Sequence, residues 1–206
     1  MREVTLVIAT QNRDKGREIM PHLSGVPVQL RGLWEWEEAP DVEETGDTLA
    51  ANAILKAESA MHHTGRWAFA DDTGLEVDAL EGAPGVFSAR YAGPGATYAS
   101  NRVHLLKEME AVPPAQRTAR FRTVIALARP GFPTETMEGA VDGTITETER
   151  GTQGFGYDAV FEYPPEGKTF AEMSLPEKNE ISHRGRALVA LRARLEALLA
   201  SARAKS

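Results

Sequence analysis

The chain has 206 residues, 42% of them hydrophobic and 26% charged, a balance that suits a single globular domain of two lobes around a continuous core. A formal charge of -7 argues against a polymeric nucleic-acid partner but not against a small polyphosphate, whose charge a few local cations and a bound metal can outweigh. With no cysteine there is no disulfide framework, no thiolate zinc site and no cysteine nucleophile.

In chain order, VTLVIA from Val4 to Ala9 is short, apolar and β-branched and predicts a buried strand feeding a polar loop. One such run with an early Glu3 is too little for a secretory signal, and no segment approaches the ~20 apolar residues that cross a bilayer, so a cytoplasmic location without membrane contact is expected. Asp14 to Leu23 predicts a helix capped by Asn12, with Ile19, Met20 and Leu23 on its inner side. A second helix is predicted over Thr48 to His63, with Asp47 or Thr48 as its cap and Leu49, Asn52, Leu55 and Lys56 at helical spacing. The next strand, Trp67 to Ala70, ends in Asp71-Asp72, and the stretch from Gly74 to Gly95, rich in Gly and Pro, reads mostly as loops. Phe121 to Arg129 and Thr136 to Val141 predict a hairpin turning through Pro130, Gly131 and Pro133. Ala187, Leu188, Leu191, Leu195, Leu198 and Leu199 form the apolar stripe of a C-terminal helix, completing an interleaved α/β pattern.

Four clusters carry chemistry. Thr10-Gln11-Asn12-Arg13-Asp14-Lys15 sets donors where a strand hands over to a helix, a geometry that suits anions, although a capped surface turn would look the same. It lacks the glycines of a P-loop. Glu43, Glu44 and Asp47 precede a helix, where the dipole favours carboxylates in any case. Asp71, Asp72 and Thr73 lie on or beside a strand, so the two aspartates point oppositely, and one of them with a carboxylate from another segment can hold a hard cation. The alternative is an exposed acidic turn. In Gly154 to Asp158 (GFGYD), Phe155 between two glycines suits close approach to a flat ligand, and Lys178, His183 and Arg184 add donors. On the competing reading Phe155 and Tyr157 are core residues, and His183-Arg184 is the solvated start of the last helix.

Together the segments ATQNRDK, EETGDTLAANAILKA, ADDTGLEVDALEGAPGVFSARYAG, GFGYDAVF, KTFAEM, EKN and SHRGRAL resemble the inosine triphosphate pyrophosphatase family, also called the nonstandard purine NTP pyrophosphatases. The resemblance spans nearly the whole chain. It implies an α/β fold, an elongated mixed β-sheet flanked by helices with two lobes and a central cleft, and a homodimer. It implies Mg²⁺-dependent hydrolysis of ITP, dITP and XTP to the monophosphate and pyrophosphate. Asp72 is then the metal ligand and general base, with Glu43 or Glu44 completing the magnesium site. Thr10, Gln11, Asn12, Arg13, Asp14 and Lys15 form the triphosphate loop. Thr73, Lys178, His183 and Arg184 contact the nucleotide, and Phe155, Gly156, Tyr157 and Asp158 form part of the base pocket. Backbone N-H groups or Arg184 aimed at the purine 6-position would favour a carbonyl over an amino group.

Three positions depart from the family pattern. Ala51 stands where relatives often carry a glutamate, which is either the acidic half of a capping box with Thr48 or a contributor to the metal site. Thr73 replaces a serine and keeps the hydroxyl, and Ala159 replaces a proline after Asp158. Two other functions fit the same residues: a pyrophosphatase for modified pyrimidine triphosphates, and a catalytically silent nucleotide-binding module.

Overall fold

The computed structural model describes residues 4–10 and 12–204, with side chains as far as residue 201. Strand β1 (Val4–Ile8) leads into helix α1 (Arg13–His22), followed by β2 (Val28–Gly32) and α2 (Leu49–Thr64). Then come β3 (Trp67–Val77), β4 (Pro84–Gly85), α3 (Tyr98–Glu108), β5 (Thr118–Arg129) and β6 (Phe132–Ile145). The chain finishes with β7 (Phe161–Tyr163), β8 (Lys168–Thr169), α4 (Leu175–Ile181) and α5 (His183–Ala204). The strands form one mixed sheet in the order β2-β1-β3-β5-β6-β7-β8, with β4 paired to β3. Strand β1 is parallel to β2 and β3, while β6, β7 and β8 run antiparallel.

The chain divides into two compact units. The first comprises residues 1–72, 123–139 and 184–206; the second comprises residues 73–122 and 140–183. Each has its own core. In the first, Leu6, Ile8, Phe69, Ile125 and Leu127 pack with Ile19 and Leu23 of α1 and Leu188, Leu191 and Leu195 of α5. In the second, Leu75, Val77, Phe121, Val141, Ile145, Phe161 and Phe170 pack with Leu105 and Met109 of α3. No helix among the described residues is long and apolar enough to cross a membrane.

The elements differ from the sequence expectation in ways that have physical causes. Strand β3 does not stop at Ala70 but carries both aspartates and reaches Val77. Each carboxylate meets a lysine, Asp71 with Lys15 and Asp72 with Lys56, so neither is a turn signal. Beyond the strand, residues 78–95 hold only short turns and the two-residue β4. Pro133 lies within β6, exposed, and the hairpin turns on Pro130 and Gly131 alone, the latter at φ +80°. Met20 is 54% exposed while its neighbour Ile19 is buried, since successive helical side chains are turned by about 100° and here that turn carries Met20 off the core face. Helix α5 begins at His183, and β2, β4, α3, α4, β7 and β8 lie in segments where apolar periodicity is weak or short.

Thr48, rather than Asp47, caps α2, its hydroxyl oxygen accepting the Ala51 N-H at 3.1 Å. Residue 51 is therefore the third helical position, where a glutamate would close a capping box. Ala51→Glu is expected to raise stability in a urea titration without metal by about 0.5–1 kcal/mol. Unchanged stability with a lower half-saturating magnesium concentration would assign the position to the metal instead.

Candidate active site

In the first unit, β1 hands over to α1 through the loop that the sequence marked for anions. The Asn12 side-chain oxygen accepts from the N-H groups of Asp14 (3.0 Å) and Lys15 (3.4 Å), and Thr10 Oγ1 accepts from the Asn12 N-H at 3.1 Å. The cap turns Lys15 inward, where its Nζ lies 3.2 Å from Asp71 Oδ2 and 3.4 Å from the Asp71 carbonyl. Arg13 is exposed, and Asp14 pairs with Arg17 at 3.3 Å. Gln11 lies outside the described residues.

Strand alternation separates the two aspartates as expected. Asp71 follows Phe69 by two residues and so faces the side covered by α1 and α5. There Arg184 Nε and Nη2 both donate to Asp71 Oδ2, at 3.1 and 3.0 Å, and Arg184 Nη1 donates to Glu18. Arg184 is buried rather than solvated, and its planar fork joins two acids from separate elements. Burial alone would push the Asp71 carboxyl up, but Lys15, Arg184 and Lys56 together hold it well below the usual range. The Lys15 pKa is lowered too, but for the opposite reason: burial lowers it more than the Asp71 charge restores it.

Asp72 points toward α2. Lys56 Nζ donates to Asp72 Oδ1 at 2.8 Å and to Glu44 Oε1 at 2.7 Å, and Asn52 Nδ2 lies 3.4 Å from Asp72 Oδ2. Asn52 also accepts the Gly46 N-H at 2.8 Å, tying the acidic loop to the helix. A Cβ on Gly46 would come within 2.7 Å of Asn52 Oδ1 and the Ala51 Cβ, so only glycine permits this approach. Glu44, not the exposed Glu43, therefore shares a cation with Asp72. Desolvation raises the Asp72 pKa, Lys56 opposes it and Glu44 reinforces it.

The sequence reading gave no role to Lys56, Asn52 or Glu18, and it treated Asp71 only as one of two aspartates of which one could hold a cation. A signal existed for the first two: positions 52 and 56 lie one turn apart on the same face of a helix whose N-terminus follows the acidic loop.

Among the described residues, no group of three or more His, Cys, Asp or Glu side chains gathers as a complete metal cage. The donors nonetheless suit a hard divalent cation, which binds through one or two carboxylates and takes its other oxygens from water and phosphate. Charge points the same way. Lys15, Lys56 and Arg184 face four carboxylates, Glu18, Glu44, Asp71 and Asp72, so a bound polyphosphate needs further positive charge.

In the second unit, the GFGYD segment is a turn closed on itself. Asp158 Oδ2 accepts the Phe155 N-H at 2.8 Å, and a Cβ on Gly154, at φ +69°, would collide with that carboxylate. Lys178 Nζ pairs with Asp158 at 2.6 Å, both buried, and lies 5.1 Å from the Phe155 ring centroid. Tyr157 is a core residue whose hydroxyl donates to the Ser88 carbonyl at 2.9 Å, while Phe155 is only half-buried. The His183 ring stacks on Phe121 at 4.5 Å, and Thr73, half-buried, begins this unit's part of β3. The sequence clusters thus divide between the two units: Thr10, Asn12 to Lys15, Glu44, Asp72 and Arg184 in the first, and Thr73, Phe155 to Asp158, Lys178 and His183 in the second.

A family model described as the Ham1 family matches residues 6–194. The chain belongs to the Ham1 family. A Geobacillus kaustophilus protein named dITP/XTP pyrophosphatase is 51% identical to this Ham1 chain over 186 residues, covering 90% of it and 91% of the relative. A Geobacter sulfurreducens protein of the same name is 49% identical, covering 91% and 94%. Among solved structures, a HAM1 protein from Coxiella burnetii superimposes with a TM-score of 0.86 at 42% identity, covering 93% of this chain and 98% of that one. These names agree with the family resemblance carried by the motifs, and the observed sheet is the mixed α/β arrangement that resemblance implied.

Proposed function

We propose that this Ham1 chain is a magnesium-dependent nucleoside triphosphate pyrophosphohydrolase that converts ITP, dITP and XTP to the monophosphate and pyrophosphate. The observation that carries the reading is the Lys56 ammonium shared by Glu44 and Asp72, with the Lys15-Asp71 pair on the next residue of the same strand. That arrangement sets two cations and two candidate metal ligands beside the capped N-terminus of α1, where anions are favoured.

Glu44 and Asp72 would hold the magnesium ion, which neutralises charge on nonbridging phosphate oxygens when bound. Lys15 and Lys56 bind phosphate oxygens, and Asn12 keeps the α1 entry in place. Asp72 orients water and takes its proton as the general base. Water adds to phosphorus, the α–β bridge breaks, and the pyrophosphate leaves with its charge stabilised by the two lysines. Arg184, committed to Asp71 and Glu18, acts by bracing α1 and β3 rather than by reading the base. Base selection falls to the 154–158 turn with Lys178 and His183, whose buried donors suit a purine carbonyl better than an amino group. Removing such nucleotides keeps mispairing bases out of nucleic acids, work suited to a cysteine-free cytoplasmic enzyme. We further propose a homodimer.

A panel of triphosphates, assayed for pyrophosphate with magnesium and with a chelator, tests activity, substrate and cofactor together. ITP, dITP and XTP are expected to exceed ATP in kcat/KM by up to about 10⁴, and chelation is expected to abolish release. Comparable values for ATP and ITP, preference for modified pyrimidines, or binding without turnover would each overturn the assignment.

A further inference from the structure

Helix α3 contributes nothing to the site as read from the motifs, yet it grips the base-recognition turn. Arg102 Nη1 donates to the Gly156 carbonyl at 2.9 Å, and its Nε lies 3.0 Å from Glu149 Oε1. One turn earlier on the same helix, the Tyr98 ring sits 5.7 Å from that of Phe155. The adjacent Asn101 donates to the carbonyls of Ser88 (3.3 Å) and Ala89 (3.0 Å) and accepts the Ala92 N-H at 2.8 Å. Tyr157 donates to the same Ser88 carbonyl. Consecutive α3 residues thus hold two loops, and the 154–158 turn is tied at Phe155, Gly156, Tyr157 and Asp158 in succession.

These ties differ in what they do. Asn101, Tyr157, Asp158 and Lys178 are nearly fully buried, so changing them disturbs packing. Gly156 is at φ +61° with open space around it and has no side chain to hold it by packing. Its carbonyl is held by Arg102, whose side chain is 18% exposed and carries its own counter-ion, Glu149. A glycine-flanked turn meant to present Phe155 and backbone donors to a flat base needs such a restraint, because each glycine widens the conformations available.

Resting on the activity proposed above, we infer that Arg102 is a positioning residue for base selectivity: with its charge balanced by Glu149, it fixes the Gly156 peptide and hence the edge the turn presents to the purine. It touches neither phosphate nor the reacting atoms. Loss of the restraint raises KM for ITP and erodes discrimination against ATP, while kcat at saturation changes less.

The test compares wild type, Arg102→Met and Arg102→Lys by kcat and KM for ITP and ATP, and by amide hydrogen exchange over 154–158. Arg102→Met is expected to lower the ITP-over-ATP ratio of kcat/KM about 10-fold, mostly through KM, as suits loss of one charge-assisted hydrogen bond. Exchange is expected to quicken at 154–158 but not in β5. Arg102→Lys, which keeps a cationic donor, is expected to recover much of both effects and guards against a folding defect in the methionine variant. Normal wild-type turnover with an unchanged ratio and unchanged exchange in Arg102→Met overturns the positioning role alone. Wild-type protein that releases no pyrophosphate from ITP overturns the activity on which it rests.

Discussion

Asp72→Asn is expected to fold normally and to release pyrophosphate about 10³-fold or more slowly than wild type. Asparagine keeps the side-chain shape and one of the two acceptor oxygens to which Asn52 and Lys56 donate, and Lys56 retains Glu44 at 2.7 Å. What disappears is a proton acceptor and a charged metal ligand. The stability half of the prediction follows from the sign of the pKa shift. Folding raises the Asp72 pKa, chiefly through burial, so its ionised form opposes the folded state at neutral pH. Relief of that buried charge is offset by the lost acceptor and by the weaker partner left to Lys56, so the melting temperature should stay close to that of wild type when no metal is present. Wild-type turnover, or a clear loss of stability in the metal-free protein, would contradict this role.

The neighbouring residue should behave in the opposite way. Asp71→Ala is expected to cost about 3–5 kcal/mol, because it leaves Lys15 and the buried Arg184 without the carboxylate that both engage. Folding depresses the Asp71 pKa: burial works against the charge, and Lys15, Arg184 and Lys56 outweigh it. Its contribution is therefore fully present above the unfolded carboxyl pKa of about 4 and fades as pH falls below that value toward the folded one. Urea titrations at several pH values check both points. Asp71→Asn should lose part of the stability at pH 7 and approach wild type in acid. An Asp71→Ala midpoint equal to that of wild type would refute the network's role.

Two adjacent aspartates with opposite thermodynamic signs show how far a sequence reading reaches. The pair, its position at a strand and the opposite directions of its side chains were legible, because strand periodicity is a local property. So were the Asn12 cap, the first-unit helices and the stripe of α5, where capping chemistry and 3.6-residue spacing are written in neighbouring residues. Short strands such as β7 and β8 and the polar helix α3 were not, since two or three residues carry no period and packing decides their state.

By itself, the sequence determined the mixed α/β character, the absence of thiol chemistry and the order of the motifs, along with the family they resemble. Tertiary structure decided which acid meets which cation. It chose Glu44 over Glu43, gave Lys56 to Asp72, and set Arg184, read as a substrate contact or a solvated helix start, between Asp71 and Glu18. The reason is distance: these partners are separated by 12 to 166 positions along the chain, and Coulomb and hydrogen-bond energies depend on spatial separation and burial that no local pattern encodes.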